Sequence, residues 1–222
     1  MDWTAMIGRH RPVEPDAFRI LVEIHQLGAR QDRRWFIQGE RTLQSLDHLV
    51  QQPIALAYVA LIALRSRDPP AALLKEAADR IRRLLNLPRT LRHRRSIAET
   101  FEIGTWTRWD DCLAYLKCRN LLAVSPIERD DLRYELTDQA IRWLDDSLSS
   151  MAESTAELGR IVERCVLLRM VFEPKVLNLP ERLAETLREV GPRLTVYRQE
   201  EQLALEDDLI SRLFQATFLE PL

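Results

Sequence analysis

The sequence predicts a mainly α chain in which one helix, strand, turn, strand, helix segment is set among helices and followed by a helical C-terminal arm. Three observations carry that fold class. Trp109, Cys112, Leu113 and Leu116 fall at i, i+3, i+4 and i+7, one face of a 3.6-residue period. The apolar run Leu121 to Val124 and the alternation Arg133, Tyr134, Glu135, Leu136 then flank the charged stretch IERDDL, as two short strands flank a turn. Elsewhere apolar residues recur at helical spacing, with little strand pattern. Three regions follow from this: a helical N-terminal region over 1–52, the strand-bearing domain over 53–148, and a helical C-terminal region over 149–222 suited to dimerisation or partner binding.

In chain order, Glu14 to Leu27 reads as a helix with Pro15 in its first turn, an apolar face through Phe18, Ile20, Leu21 and Ile24, and Gly28 at its end. GARQDRR is expected to be a loop, and Trp35 and Phe36 either begin a short strand or plug the core. Thr42 to Val50 is helical by Leu43, Leu46 and Leu49. Pro53 opens IALAYVALIALRS, apolar nearly all round and expected at the centre of the fold, and Pro69 and Pro70 break the chain before AALLKEAADRIRRLLN. Asn120 suits a helix end in the left-handed conformation. Thr137 then opens a helix, because its hydroxyl can accept from an orphan backbone N–H, and that helix buries Ile141 and Leu144. Further on, Ile161, Cys165, Leu168 and Val171 share a helical face. Leu183, Leu187 and Val190 mark another helix, Leu194 to Tyr197 a weak strand, and Glu200 to Leu219 a last helix with Leu203, Leu209, Leu213 and Phe214 beside acidic Glu206, Asp207 and Asp208.

The segment RNLLAVSPIERDDLRYELTDQAIRWLDD resembles the wing-and-helix signature of bacterial winged-helix regulators, within the winged helix-turn-helix superfamily, over about 45 residues. The resemblance implies a winged-helix domain in 53–148, with IERDDL as the wing and the helix before it in the groove-reading position. The helix, helix, strand, helix order after residue 149 is read as a helical arm, a degenerate second winged helix being the other reading. Ala140 stands where the signature usually has Gly. A larger departure is charge: groove-reading helices present polar and basic side chains to bases, whereas the face opposite Trp109 and Leu116 carries Thr107, Asp111, Ala114 and Cys118, with Asp110 on its flank. Glu128, Arg129, Asp130, Asp131 and Arg133 of the wing sum to minus one. Carboxylates repel phosphate, so Asp110 and Asp111 are either a solvated first helical turn or protein-binding residues.

Composition is that of an ordinary soluble protein, 46% hydrophobic and 30% charged over 222 residues. The Pro53 to Leu64 run is too short for a membrane span, and Met1, Asp2, Trp3 begin no basic-then-apolar signal, so a cytoplasmic location without membrane contact is expected. Cys112, Cys118 and Cys165 suit reduced thiols better than a disulfide framework or zinc ligands. Charge is uneven: residues 1–144 hold 23 basic and 19 acidic side chains, residues 145–222 hold 9 and 15. Within the first part, Arg80, Arg82, Arg83, Arg89, Arg92, Arg94 and Arg95 gather with His93 in sixteen residues, the footprint of a phosphate-binding surface or of a solvated helix end and loop. Arg108, Lys117 and Arg119, on and just after the helix before the wing, are the further candidates for nucleic-acid contact.

No spacing proposes catalysis. The Asp-Asp pairs at 110, 130, 145 and 207 are adjacent residues that do not face each other on a helix. Glu173-Pro174-Lys175 and Asp16 match halves of a metal-dependent nuclease site, but that site needs neighbouring strands, whereas Asp16 reads as helical and Pro174 removes a ladder donor. His10, His25, His48 and His93 have no partner at metal-ligand spacing, and the six glycines form no phosphate loop.

The expectation is therefore a non-enzymatic winged-helix protein without cofactor or metal, a DNA-associated subunit of a larger bacterial assembly for chromosome or plasmid maintenance or defence. It would touch duplex backbone, without sequence preference, through the arginine stretch. It would touch a protein partner or a second copy through Asp110, Asp111, Leu203, Leu209, Leu213 and Phe214. The kleisin-interacting winged-helix subunits of bacterial condensin-like and plasmid-defence machines offer an analogy in size and in binding protein by winged helices. A dimeric, sequence-specific transcription regulator is the alternative.

Overall fold

The structure, a computed structural model, describes residues 13–65, 69–87, 105–127, 131–151, 156–172, 212–215 and 217–218. Its elements are α1 (Glu14–Leu27), β1 (Ala29–Gln31), β2 (Arg34–Gln38), α2 (Glu40–Gln51), α3 (Pro53–Arg65), α4 (Ala71–Leu85), α5 (Thr105–Cys118), β3 (Leu122–Pro126), β4 (Leu132–Leu136), α6 (Asp138–Met151) and α7 (Ala156–Phe172). The chain is mainly α with one antiparallel sheet of four strands in the order β1-β2-β4-β3, the β3–β4 hairpin forming a wing. Contacts gather into two units, Met1–Leu43 with Ile97–Ser154, and Gln44–Ser96 with Thr155–Leu222.

The first unit is a winged helix assembled from distant pieces of sequence. Tyr134 and Leu136 of β4 pair with Val124 and Leu122 of β3, and Tyr134 also pairs with Ile37 of β2. Because side chains alternate across a sheet, these residues share the core face; Ile37, Leu122, Tyr134 and Leu136 are buried there. Helix α1 packs on β2 and β4 and meets α5 and α6, while α5 also covers β3. Trp109, Cys112 and Leu116 of α5 are buried and Leu113 is half-buried, on the helix that packs against α1 and β3. On α6, Ala140 and Leu144 are buried and Ile141 is intermediate.

GARQDRR is not a loop. Residues 29–31 are β1, and Asp32 and Arg33, with φ of 50° and 68°, make the two-residue turn into β2. Two successive positive φ values match the twist of a tight hairpin, but the usual glycine is missing, so the sequence carried no turn signal. Gly28 has an ordinary φ. Its lack of a Cβ serves close approach instead, since a Cβ there would collide with the carbonyl oxygens of Ile24 and Phe36.

The ends of α5 and α6 are fixed together by hydrogen bonds. Asn120 takes φ 55°, its N–H donates to Lys117 O at 3.0 Å, and the Leu121 N–H donates to Leu116 O at 2.9 Å, a Schellman ending. The Thr137 hydroxyl accepts from the Ala140 N–H at 3.2 Å, capping α6, and donates to Asn120 O at 2.7 Å.

In the second unit, α3 lies against α4 and α7, and those two against each other. Ile54, Leu56, Val59, Leu61 and Leu64 are all buried, each stabilising by roughly 1.5–3 kcal/mol relative to exposure. On α7, Cys165, Leu168 and Val171 are buried. Residues 53–148 do not form a unit of their own: α3 and α4 cluster with α7, while β2, from before residue 53, completes the wing-bearing sheet. The chain from 44 to 96 is thus an insertion between β2 and α5. No single described helix is long and apolar enough to cross a membrane; α2 and α3 together pass by length and composition but meet at 109°.

Candidate functional site

Three surfaces bear on function. The first is the exposed side of α5, the helix that precedes the β3–β4 wing. Asp110, Asp111, Ala114, Lys117 and Cys118 are exposed there, followed by exposed Arg119. Side-chain placement is described from Trp109 onward, so Thr107 and Arg108 lie outside it. Behind this helix Tyr134 is fully buried; burial, and then the Glu40 carboxylate that accepts its hydrogen bond, push the phenol pKa up, with Asp131 and Asp110 adding to the same field. Wing residues Glu128, Arg129 and Asp130 lie outside the described residues.

The second surface is the arginine stretch, of which Arg80, Arg82 and Arg83 are described and Arg89, Arg92, Arg94 and Arg95 are not. The Arg80 guanidinium donates to Glu76 at 2.9 Å and lies 3.6 Å from Glu163, its side chain only 18% exposed. Arg83 stands 3.7 Å from the same Glu163, with 61% of its side chain exposed. Arg82 pairs with Asp79 at 3.0 Å and covers the Phe214 ring, 5.6 Å from its centroid. Arg80 is thus a structural bridge between α4 and α7. Arg82 and Arg83 keep exposed heads held by weak surface pairs. Phe214 is buried, with Phe218 4.9 Å away, and Leu213 is half-buried, so this end of the C-terminal stripe turns inward. Leu203 and Leu209 lie outside the described residues.

The third surface was not legible in the sequence. Between α1, α5 and α6 runs a groove of about 590 Å³, walled by Phe18, Leu21, Tyr115, Leu116 and Trp143. Trp143 is 43% exposed, the one large hydrophobic side chain left so among the described residues, and meets Phe18 edge-on with centroids 5.1 Å apart. Glu14 and Arg119 also line the groove. Arg119 lies over the Tyr115 ring at 5.5 Å. The signal available was Trp143 itself, a large aromatic off the Ala140 and Leu144 face of α6. The hairpin arginines were missed as well: Arg30 stacks on Trp35, Arg34 pairs with Glu135 at 3.0 Å, and Arg133 covers the Phe36 ring at 3.6 Å.

Ion pairing is also built into α1, where Arg19 holds Asp16 at 2.7 Å and stands 3.7 Å from the fully buried Glu23. Cys112 and Cys165 are buried thiols and Cys118 an exposed one. Among the described residues, no group of three or more His, Cys, Asp or Glu side chains is placed to hold a metal ion. Comparison with family models, with characterised proteins and with solved structures found no match to this chain.

Proposed function

We propose that this chain is a non-enzymatic, DNA-associated subunit of a larger bacterial assembly, in which the winged helix binds protein rather than reading bases. The observation that carries this reading is the surface of α5: the helix in the reading position exposes Asp110, Asp111, Ala114 and Cys118. Two carboxylates facing phosphate repel it, and alanine and cysteine offer bases no bidentate partner. Contact with duplex backbone falls to the exposed Arg82 and Arg83 together with Arg89, Arg92, Arg94 and Arg95.

A mobility-shift series over rising salt tests it. Binding is expected to be blind to duplex sequence and to weaken steeply with salt. It should be lost when Arg82, Arg83, Arg92, Arg94 and Arg95 become alanine, and kept in Asp110→Ala/Asp111→Ala. Unchanged binding in the five-arginine variant sinks the backbone assignment. The second reading, a dimeric sequence-specific regulator, draws on exposed Lys117 and Arg119 at the end of α5. It requires preference for one duplex at physiological salt.

A further inference from the structure

We propose that the groove between α1, α5 and α6 is a two-fold interface whose occupant is the same groove of a second copy of this chain. An isologous contact needs a surface complementary to itself, in which residue i meets j and j meets i. This groove supplies both halves of such a contact. Trp143 is a knob, 43% exposed, standing on the rim of an apolar hollow walled by Phe18 and Tyr115. Large exposed aromatics of this kind are the anchors that dominate interface energetics.

Charge argues for a second copy over another occupant. Glu14 and Arg119 line the groove together, and neither has a counter-ion among the described residues. A two-fold axis through the groove sets Glu14 of one copy against Arg119 of the other, and repeats the pair by symmetry. The two charges carried by each face are then both answered, as they would not be by a partner of one sign. The surface belongs to the first unit alone and contains none of Arg82, Arg83, Arg89, Arg92, Arg94 and Arg95, so loss of the dimer leaves the backbone assignment standing; Arg119 is shared only with the second, base-reading alternative.

Sedimentation of the full chain over a concentration series tests it, with circular dichroism confirming that each variant is folded. The wild type is expected to dimerise at micromolar concentration. Arg119→Glu and Glu14→Arg should each weaken the dimer about tenfold or more by setting like charges opposite one another. The combined Glu14→Arg/Arg119→Glu variant should restore it to within a few fold, a rescue that a merely misfolded chain does not give. Trp143→Ala should weaken association about tenfold or more. A monomer at about 100 µM overturns the proposal, leaving the groove to a different protein. A dimer whose constant ignores both Trp143→Ala and Arg119→Glu overturns it too, by putting the contact elsewhere.

Discussion

The two units solve the same problem by different means. The inserted helical unit is held by α3, whose side chains are buried on almost every face, and two of its arginines are spent within it: Arg80 joins Glu76 to Glu163, and Arg164 donates to Val50 O at 2.7 Å, while Arg82 and Arg83 keep exposed heads. The winged unit is held by a small sheet and by polar joints at helix ends, and it leaves open an aromatic groove, a hairpin of arginines and an acidic helix face. The difference teaches where to look for function. A core of one continuous apolar helix can hide its charges, whereas a three-helix layer on four short strands exposes more than it buries.

If the contrast is right, a cavity should hurt the helical unit most. Leu61 is fully buried, and Leu61→Ala should cost about 2–5 kcal/mol in chemical denaturation, with amide exchange accelerated first in α3, α4 and α7. Exchange that rises equally at Tyr134 and Leu136 would break the comparison by making the two units one cooperative body.

The winged unit should instead be sensitive at its joints. Thr137→Ala removes the α6 cap and the hydrogen bond to Asn120 O, and should cost about 1 kcal/mol, with faster exchange at the Ala140 amide. Thr137→Ser should recover most of it. A Thr137→Ala variant of wild-type stability would mean that packing of Ala140 and Leu144 alone holds α6.

A smaller effect, of the same sign in both units, comes from histidine. Burial lowers the pKa of His25 in the winged unit, against the raising influence of Asp145 and with a further lowering by Arg30; burial lowers His48 in the helical unit, against Asp47. A base whose pKa is depressed on folding is protonated more readily in the unfolded chain, so stability is full above the ordinary value of 6.5 and is lost as pH falls below it. Denaturation midpoints should therefore decline from neutral pH toward pH 5, and His25→Asn with His48→Asn should flatten the decline at its upper end. A slope unchanged by both substitutions would assign the acid sensitivity to carboxylates.

Much of the winged unit was legible because its signals are local. The 3.6-residue spacing from Trp109 to Leu116, the left-handed Asn120, the Thr137 cap and the alternation at Tyr134 and Leu136 each depend on a few neighbouring residues, and each appears in the structure as read. What the sequence did not yield is non-local. The pairing of Ile37 with Tyr134 spans nearly a hundred residues, across an insertion that looks like any helical run, and this moved both edges of the winged domain away from 53 and 148. Composition could mark Arg80 as basic, yet only packing shows that Glu163, from α7, neutralises it. The groove needed three helices brought together from residues 14–21, 115–121 and 139–143, none of which announces a site alone.

Selection from a pool of random duplexes at physiological salt tests the central claim, that the winged helix serves protein contact and not base reading, most directly. The account predicts that the chain retains duplexes with no enriched motif, and that Asp111→Ala/Lys117→Ala leaves the recovered pool unchanged. Enrichment of one sequence that disappears in that variant would contradict it and make α5 a reading helix.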